Sequence, residues 1–245
     1  MAERTLKKLK PDSLSCVLLK PAIIGAAYRE PFLGCTDTLS AAGGLGLAGG
    51  VGIINYVKVV PEQVIDLIPV DYVTNLTLIS TAFQSRKPGL SVVHSCSSSI
   101  NPCTARVFME GGFEYLKHQP LEQQIAPISI TFIKDKRMFD AAYYFHKELP
   151  IKILDKVSKF PGLSTTKLRK TAKLANFLNV KIKELYSLFD HFVTNEWIYE
   201  SKKAFEYMKR ISPEEIADFN VDPKLINWNR FFHFYAYGGQ KYFFK

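Results

Sequence analysis

The spacing of apolar residues changes near residue 101, and this change constrains the fold more than any other feature of the sequence. Before it, three short apolar runs are separated by turn-forming residues: Ser15–Leu19, Ile65–Val70 and Leu90–His94. Such runs are typical of parallel strands buried on both faces. Beyond it, apolar residues recur with the 3.6-residue period of helices over residues 104–117, 139–158, 167–192 and 196–210. We therefore predict an α/β part, residues 1–135, followed by an all-α part, residues 136–245.

Local signals place several helix starts. Asp71 is predicted to cap a helix over Val73–Phe83, and Ser212-Pro213-Glu214-Glu215 has the pattern of a capping box. Asp222-Pro223 repeats the combination of a cap and a proline. The first strand comes early in the chain, yet a buried parallel strand needs hydrogen-bonded neighbours on both edges. We expect another chain, or a longer natural protein, to supply the rest of the sheet.

The composition excludes several classes of protein. With 14 Gly, 13 Pro, 4 Cys and 22% charged residues, the 245-residue chain is not collagen-like, a disulfide scaffold or intrinsically disordered. No apolar run is long enough to span a membrane as a helix. The four cysteines have no paired spacing, so we expect reduced thiols and an intracellular protein. Lys20 and Pro21 break the apolar stretch that follows the basic N-terminus, so we expect no secretory signal peptide.

Positive charge is concentrated in one segment. The net charge is +9, and residues 134–183 carry thirteen basic and four acidic residues. The segment is either a solvated helical face or a surface that attracts the phosphates of CoA or of an anionic membrane. Nucleic acid is an unlikely partner, because no DNA- or RNA-binding motif accompanies the charge.

Three short motifs suggest chemistry, and each has a simpler explanation. Gly44-Leu45-Gly46-Leu47-Ala48-Gly49 matches the phosphate-binding turn of dinucleotide-binding folds, but no hydrophobic strand precedes it, so we expect an ordinary loop. His94, Cys96 and Cys103 lack the spacing of a zinc site, and we predict no metal. Chance produces Tyr-x-x-x-Lys pairs in a chain this rich in both residues. Three such pairs are present: Tyr143/Lys147, Tyr199/Lys203 and Tyr237/Lys241.

The C-terminal segment is strongly aromatic. Nine of the 17 residues from Trp228 to Phe244 are Trp, Tyr or Phe, several of them at helical spacing. They form either the core of a small helical domain or an attachment surface for a membrane or a partner.

Two neighbouring motifs carry a resemblance to a known family. Lys20-Pro21-Ala22-Ile23-Ile24-Gly25 and Arg29-Glu30-Pro31-Phe32-Leu33-Gly34 resemble the R-P-S-I-I and K/R-E-P-F-P-G-W segments of alcohol-forming fatty acyl-CoA reductases. The likeness continues in order along the chain. It includes the Gly-rich loop at 43–52, Asp66–Asp71, His94–Pro102, Phe192–Trp197, Ser212–Phe219, Asp222, Asn227-Trp228 and Lys241–Lys245.

The resemblance implies the C-terminal half of an extended short-chain dehydrogenase domain, which is Rossmann-like, followed by a small helical domain. Such reductases use NADPH to convert a long-chain acyl-CoA into a fatty alcohol. By resemblance, Pro21, Ala22, Ile23 and Ile24 contact the nicotinamide. Arg29, Glu30, Pro31, Phe32 and Gly34 are in the same way expected to border the acyl-substrate channel.

The family's nucleotide-binding glycine motif and catalytic Tyr-x-x-x-Lys lie upstream of the R-P-S-I-I segment. We therefore assign no catalytic residue here, and we expect the chain to be inactive and not to bind NADPH alone. Departures at Lys20, Leu33, Cys35 and Asn227 fall at positions expected to line the substrate.

Two functions follow from these expectations. The chain is either the reductase's C-terminal section, acting on acyl-CoA once an N-terminal half is supplied, or a non-catalytic accessory subunit of a larger, membrane-associated assembly. In both cases we expect an organelle-associated protein, in a peroxisome, endoplasmic reticulum or mitochondrion.

Overall fold

The computed structural model describes residues 2–38 and 42–243. The fold is mixed, 54% helical with a few short strands. The helices are α1 (Ala2–Leu9), α2 (Ala42–Gly50), α3 (Val70–Gln84), α4 (Ala105–His118), α5 (Lys136–Tyr143), α6 (Leu149–Lys159), α7 (Thr166–Thr194), α8 (Lys202–Met208), α9 (Pro213–Asp218) and α10 (Trp228–Phe243). A π-helical turn (Tyr144–Glu148) joins α5 to α6, and a 3-10 turn (Pro223–Leu225) precedes α10. No helix among the described residues is long and apolar enough to cross a membrane.

The strands pair in twos. They are β1 (Ser15–Pro21), β2 (Ile23–Gly25), β3 (Tyr56–Val57), β4 (Val64–Ile65), β5 (Leu67–Pro69), β6 (Gly89–Ser95), β7 (Cys103–Thr104) and β8 (Thr131–Phe132). The longest ladder joins β1 and β6 in parallel, from Ser15 opposite Gly89 to Pro21 opposite Ser95. β2 runs parallel to β5, β3 parallel to β8, and β4 antiparallel to β7.

The described chain divides into two compact units. The first contains residues up to 47, residues 64–122 and residues from 197 onward, and the second contains residues 48–63 and 123–196. The units therefore interleave along the chain, whereas the division expected from apolar spacing is sequential. That division at residue 135/136 stays a prediction.

One hydrophobic cluster of the first unit lies between the β1–β6 ladder and helices α3 and α8. Leu76, Ile79, Val93 and Tyr207 are buried there, and Val17 and Leu19 of β1 pack against them. The Tyr207 hydroxyl is hydrogen-bonded to the buried Ser91 hydroxyl at 2.9 Å, which satisfies both polar groups. Residues C-terminal to 197 thus complete the same core as the N-terminal strands.

The second unit is built around α7. Tyr186 of this helix makes edge-to-face contacts with Phe139 and Tyr143 of α5, at centroid distances of 5.3 and 5.6 Å. Its hydroxyl donates to the Tyr56 carbonyl of β3 at 2.5 Å. Burial raises the pKa of Tyr143 to about 12, so its hydroxyl stays protonated.

Several local predictions are confirmed. β1 and β6 include the first and third expected strands, and α4 and α7 match expected helices within two residues. Ser212 forms the expected capping box with Glu215, and Asp222 caps the 3-10 turn through the Lys224 amide.

Other local predictions are wrong. The run Ile65–Val70 is two short strands, after which α3 already begins at Val70. Asp71 therefore lies inside the first turn of α3, and Pro69 is at the N-cap position. Only Lys202–Met208 of the expected helix 196–210 is helical. Residues 196–200 are not helical. Their main-chain groups bond to β6 and to the residues after it: the Glu200 carbonyl contacts His94 Nδ1 at 3.3 Å, and the Tyr199 amide donates to the Ser98 hydroxyl at 2.9 Å.

Candidate functional site

The first unit contains an apolar pocket between α4 and α10. Its cavity volume is about 70 Å³, which is room for about five groups the size of a water molecule. None of its lining side chains is charged. The lining residues are Gly43 and Gly46 of α2, Phe108, Met109, Gly112, Phe113 and Leu116 of α4, Leu121, and Phe232, Tyr235, Ala236, Gly239 and Gln240 of α10.

Glycines create the space in this pocket and allow its walls to meet. A Cβ added at Gly46 or Gly239 would meet no other atom within 4 Å, so these positions face open space. At Gly111, in contrast, a Cβ would lie 3.0 Å from the Cβ of Phe232, so glycine permits α4 to approach α10 closely. Small residues therefore set both the helix separation and the pocket volume.

The polar groups around the pocket already have partners. The Tyr235 hydroxyl is hydrogen-bonded to the Thr36 side chain, and burial raises the Tyr235 pKa to about 12. The Gln240 side chain accepts from the Tyr115 hydroxyl at 2.7 Å and donates to the Gln119 carbonyl at 3.3 Å. Because these groups are satisfied, the pocket suits an apolar chain better than a charged or strongly polar ligand.

The predicted substrate segment, Arg29–Gly34, lies beside α10. Gly34 has a φ of 76°, and a Cβ on it would lie 2.0 Å from the Phe234 carbonyl oxygen of α10. A Cβ on Gly238 would be equally close to the Gly34 oxygen. The ring of Phe32 is 5.4 Å from that of Tyr242. Glycine is thus required on both sides of this backbone contact, which holds the segment against one wall of the pocket.

Asp71 fixes the start of that segment. Its carboxylate accepts hydrogen bonds from the main-chain amides of Tyr28, Arg29 and Glu30, at 2.9, 2.8 and 3.3 Å. The prediction that Asp71 caps its own helix is therefore wrong, because its carboxylate binds the main chain of a distant loop instead. The peptide bond between Glu30 and Pro31 is cis.

Arg29 and Glu30 border a separate polar cleft that also involves α3 and α9. The Arg29 guanidinium donates to the Ala217 carbonyl at 3.4 Å, and Asn75 Nδ2 donates to the Asn220 carbonyl at 3.1 Å. No residue of 29–34 is among those that line the apolar pocket. The structure thus places this predicted segment next to the pocket and not inside it.

Known proteins resemble this chain along most of its length. The family model described as Male sterility protein matches residues 145–245. Fatty acyl-CoA reductase 1 of Xenopus laevis is 26% identical over 238 residues, which cover 94% of this chain and 44% of the relative. Fatty acyl-CoA reductase 1 of Homo sapiens is 25% identical over 236 residues, 94% of this chain and 43% of the relative.

Fatty acyl-CoA reductase 2 of Mus musculus is 28% identical over 241 residues, 95% of this chain and 44% of the relative. The chain is similar over nearly its whole length to the C-terminal portion of fatty acyl-CoA reductases. It spans less than half the length of these curated relatives. The resemblance seen in the sequence is thereby confirmed.

The motif at Asp66 holds several segments of the first unit together. The buried Asp66 carboxylate accepts from the Ser97 amide at 2.9 Å and from the Ser98 hydroxyl at 2.5 Å. Burial raises the pKa of Asp66, and its hydrogen bonds with Ser97 and Ser98 oppose this shift. Asn101 extends the connection, because its Nδ2 donates to the carbonyls of Pro223 and Ile226 at 2.8 Å each.

The predicted cofactor segment Pro21–Ile24 lies at the carboxyl end of β1 and continues into β2. The Ala22 amide donates to the Ser95 carbonyl at 2.8 Å, and the Ile23 amide donates to the Asp66 carbonyl at 3.2 Å. Pro21 and Ile24 are exposed. Ligands of parallel sheets bind beyond the carboxyl ends of strands, which is where this segment lies.

The competing sequence motifs have structural explanations. The sequence Gly44–Gly49 lies within helix α2, so the expected loop is wrong, and one of its glycines lines the apolar pocket. Tyr143 donates to Asn179, and Lys147 donates to Asn55, so this pair does not meet. Lys241 does donate to the Tyr237 hydroxyl at 3.0 Å, but both side chains are at the surface of α10.

The candidate metal ligands have separate surroundings. His94 Nδ1 contacts the Glu200 carbonyl at 3.3 Å, and the Cys96 thiol donates to the Tyr199 carbonyl at 3.4 Å. Burial raises the pKa of Cys96 and of Cys103 to about 12, so both thiols stay protonated. Within residues 2–38 and 42–243, no three His, Cys, Asp or Glu side chains cluster as a metal site.

Sequence reasoning did not identify the pocket-lining residues of α4 and α10. Phe232 is 3% exposed and Trp228 8% exposed, so the aromatic helix α10 is a core element of the first unit. Residues 244 and 245 of the aromatic segment lie outside the described chain. The sequence did contain a signal for close helix packing. The glycine pairs Gly111-Gly112 and Gly238-Gly239 interrupt the two aromatic helices α4 and α10, which form two walls of the pocket.

Proposed function

We propose that the chain is the C-terminal portion of an enzyme that reduces long-chain acyl-CoA to fatty alcohol with NADPH, and that its α4–α10 pocket holds part of the acyl chain. The observation that carries this proposal is the apolar pocket, whose neighbouring polar side chains, Tyr235 and Gln240, already have hydrogen-bond partners within the protein. A fatty acyl chain is the uncharged part of such a substrate, and its methylenes gain free energy on leaving water. The similarity to fatty acyl-CoA reductases supports this choice of reaction.

The segment Arg29–Gly34 positions the substrate in this proposal. Asp71 restrains the amides at its start, and the Gly34–Gly238 contact restrains its end. A segment held at both ends can guide a ligand along α10 with little loss of its own entropy. The exposed ring of Phe32 is then the side chain available to contact the acyl-CoA.

Pro21–Ile24 fit the nicotinamide end of the cofactor. The Ala22 and Ile23 amides are held by Ser95 and Asp66, so the segment has a defined geometry, and its remaining main-chain atoms can bind a carboxamide. Bound NADPH supplies the hydrides of the reaction. The role of this chain is to orient the nicotinamide and to keep water from the reacting carbonyl.

An N-terminal reductase half is the partner in this proposal, and it completes a Rossmann-like sheet. All seven residues of β1 are at least partly exposed, and its ladder within the described chain is with β6. The second edge of a seven-residue parallel strand offers main-chain donors and acceptors to a further strand. This arrangement supports a sheet continued by residues from outside the present sequence.

Acyl-chain binding tests the proposal directly. The purified chain is irradiated with a palmitoyl probe that carries a photoreactive diazirine, and labelled peptides are mapped by mass spectrometry. We expect labels on α4 and α10. Gly46→Leu and Gly239→Leu place side chains into the open space of the pocket, and both should reduce labelling. Ala141→Leu, at an exposed position of α5, is the matched control.

Unchanged labelling in both glycine variants, with their thermal midpoints preserved, would refute acyl binding in this pocket.

A second test concerns the partner. Native mass spectrometry of the protein from its source, with peptide mapping upstream of Met1, should reveal an N-terminal reductase half. A chain that begins at Met1 and is bound to unrelated subunits would instead favour the accessory function.

A further inference from the structure

The second unit carries a surface that the proposed function does not use. Residues 156–183, which we call the basic hairpin, contain eight basic residues and no acidic one. The basic hairpin comprises the end of α6, the loop 160–165 and most of α7. So many like charges in one hairpin repel each other, and an anionic partner would relieve that repulsion.

The tip of the basic hairpin exposes two large apolar side chains. Phe160 is 61% exposed and Leu163 is 58% exposed. The loop that presents them is held by its own hydrogen bonds: the Ser164 hydroxyl donates to the Ser158 carbonyl at 2.6 Å, and Thr165 caps α7 through the Leu168 amide at 3.1 Å. These apolar groups are therefore displayed by an ordered loop.

The outer face of α7 continues this pattern. Lys170, Leu174, Phe177 and Lys181 are spaced by four, three and four residues, so they lie in one stripe along the helix. Leu174 and Phe177 are 55% and 58% exposed, whereas Ala172 is only 1% exposed. The stripe thus faces solvent, and it alternates lysines with large apolar groups.

Most lysines near the tip have no acidic partner in the protein. Lys159 is paired with Asp155 at 2.5 Å, and Lys181 is paired with Glu184 at 2.7 Å. Among residues 2–38 and 42–243, no carboxylate forms an ion pair with Lys156, Lys167, Lys170 or Lys173. Four cations without an ion pair therefore lie within ten residues of Phe160 or Leu163 along the chain.

We propose that the basic hairpin docks on an anionic lipid bilayer. Phe160 and Leu163 enter the boundary between headgroups and acyl chains, and the lysines lie at the lipid phosphates. Charge complementarity favours this occupant over a protein, because a bilayer offers many phosphates and also an apolar layer at the depth of the side chains. The long lysine side chains can keep their ammonium groups in the headgroup layer while the apolar groups insert.

Vesicle flotation of the full chain tests the proposal. We expect the chain to float with phosphatidylcholine vesicles that contain about one third phosphatidylserine, and not with pure phosphatidylcholine vesicles. High salt should weaken binding. Lys167→Glu/Lys170→Glu should weaken binding at least about twentyfold, since each basic residue contributes about fivefold. Phe160→Ser/Leu163→Ser should also reduce binding.

Arg86→Glu/Lys87→Glu is the matched control, because it changes the net charge equally at exposed positions outside the basic hairpin. It should bind nearly as well as the wild type. Circular dichroism and thermal midpoints should show that all three variants are folded.

Insertion is measured separately with Phe160→Trp. Vesicles with brominated acyl chains should quench the added tryptophan fluorescence, relative to the wild-type background. Absence of binding, equal binding to neutral vesicles, an equal loss in the control, or no quenching would each overturn the proposal. Self-association of the chain that Phe160→Ser/Leu163→Ser abolishes, without vesicle binding, would assign the surface to a second copy instead.

Discussion

Removal of the Asp71 carboxylate should loosen the segment that borders the pocket. In Asp71→Ala, the amides of Tyr28, Arg29 and Glu30 lose their acceptor. A hydrogen bond to a charged group contributes about 1.5–3 kcal/mol when its loss leaves a partner unsatisfied. Arg29 and Glu30 are exposed, so water can replace the carboxylate there. Only the Tyr28 amide carries the full cost, and we expect a total loss of about 3 kcal/mol.

The thermal midpoint is the simplest assay. At about 2–4 °C for each kcal/mol in a protein of this size, Asp71→Ala should lower the midpoint by about 6–12 °C. Asp222→Ala is a matched control, because that carboxylate accepts a single main-chain bond, from the Lys224 amide at 3.0 Å. Loss of one cap costs about 1 kcal/mol, and the control should fall by about 2–4 °C.

Hydrogen exchange locates the effect. The amides of residues 28–30 should lose protection in Asp71→Ala, whereas those of the β1–β6 ladder should keep it. If Asp71→Ala melts no lower than Asp222→Ala, or if residues 28–30 stay protected, the carboxylate does not restrain this segment. Its position beside α10 would then depend on the Gly34–Gly238 contact alone.

Three further predictions concern the buried groups of the first unit. Burial raises the pKa of Asp66, so the folded protein keeps the Asp66 proton at pH values above the ordinary pKa of 3.8. The contribution of this proton to wild-type stability should therefore decline as pH rises from 3.8 through the folded pKa. In a pH series of urea-unfolding measurements, Asp66→Asn should not show this decline. Cys96 and Cys103, with pKa values of about 12, should resist iodoacetamide in the native protein, and urea should make them reactive. Phe231→Ala should lower the free energy of unfolding in urea by about 3–5 kcal/mol, because the Phe231 side chain is 2% exposed among aromatic rings. A loss below about 1 kcal/mol would show that the packing of the surrounding rings does not require the Phe231 side chain.

The local sequence pattern correctly predicted those elements that depend on residues close to each other in the chain. β1 and β6 each contain a short apolar run, and Ser212 has a capping box whose two partners lie three residues apart, so sequence spacing was sufficient for both. Asp71 shows the limit of this reasoning. Its position suggested a local cap, but the amides that it binds are 41 to 43 residues away, and only the tertiary fold brings them together.

The pocket was hidden for a related reason. Most of its residues come from α2, α4 and α10, which are separated by more than 50 residues at each step. The glycine pairs in α4 and α10 are a local signal of close packing, but they do not show which helices meet. The resemblance to reductases identified the neighbouring Arg29–Gly34 segment but not the residues that line the cavity. Trp228, Phe231 and Phe232 of α10 are buried, as expected if this helix belongs to a core. Space remains beside them because Gly239 has no side chain to fill it.

The two proposals place different demands on the same chain. Acyl binding uses uncharged side chains in the first unit, and membrane docking uses exposed cations and apolar groups in the second. Long-chain acyl-CoA and fatty alcohol both partition to bilayers, since each buried methylene gains about 0.8 kcal/mol. A reductase held at a lipid surface would therefore meet substrate where it is concentrated. Because the two surfaces share no residue, Lys167→Glu/Lys170→Glu should leave photolabelling of the pocket unchanged, and Gly46→Leu should leave flotation unchanged.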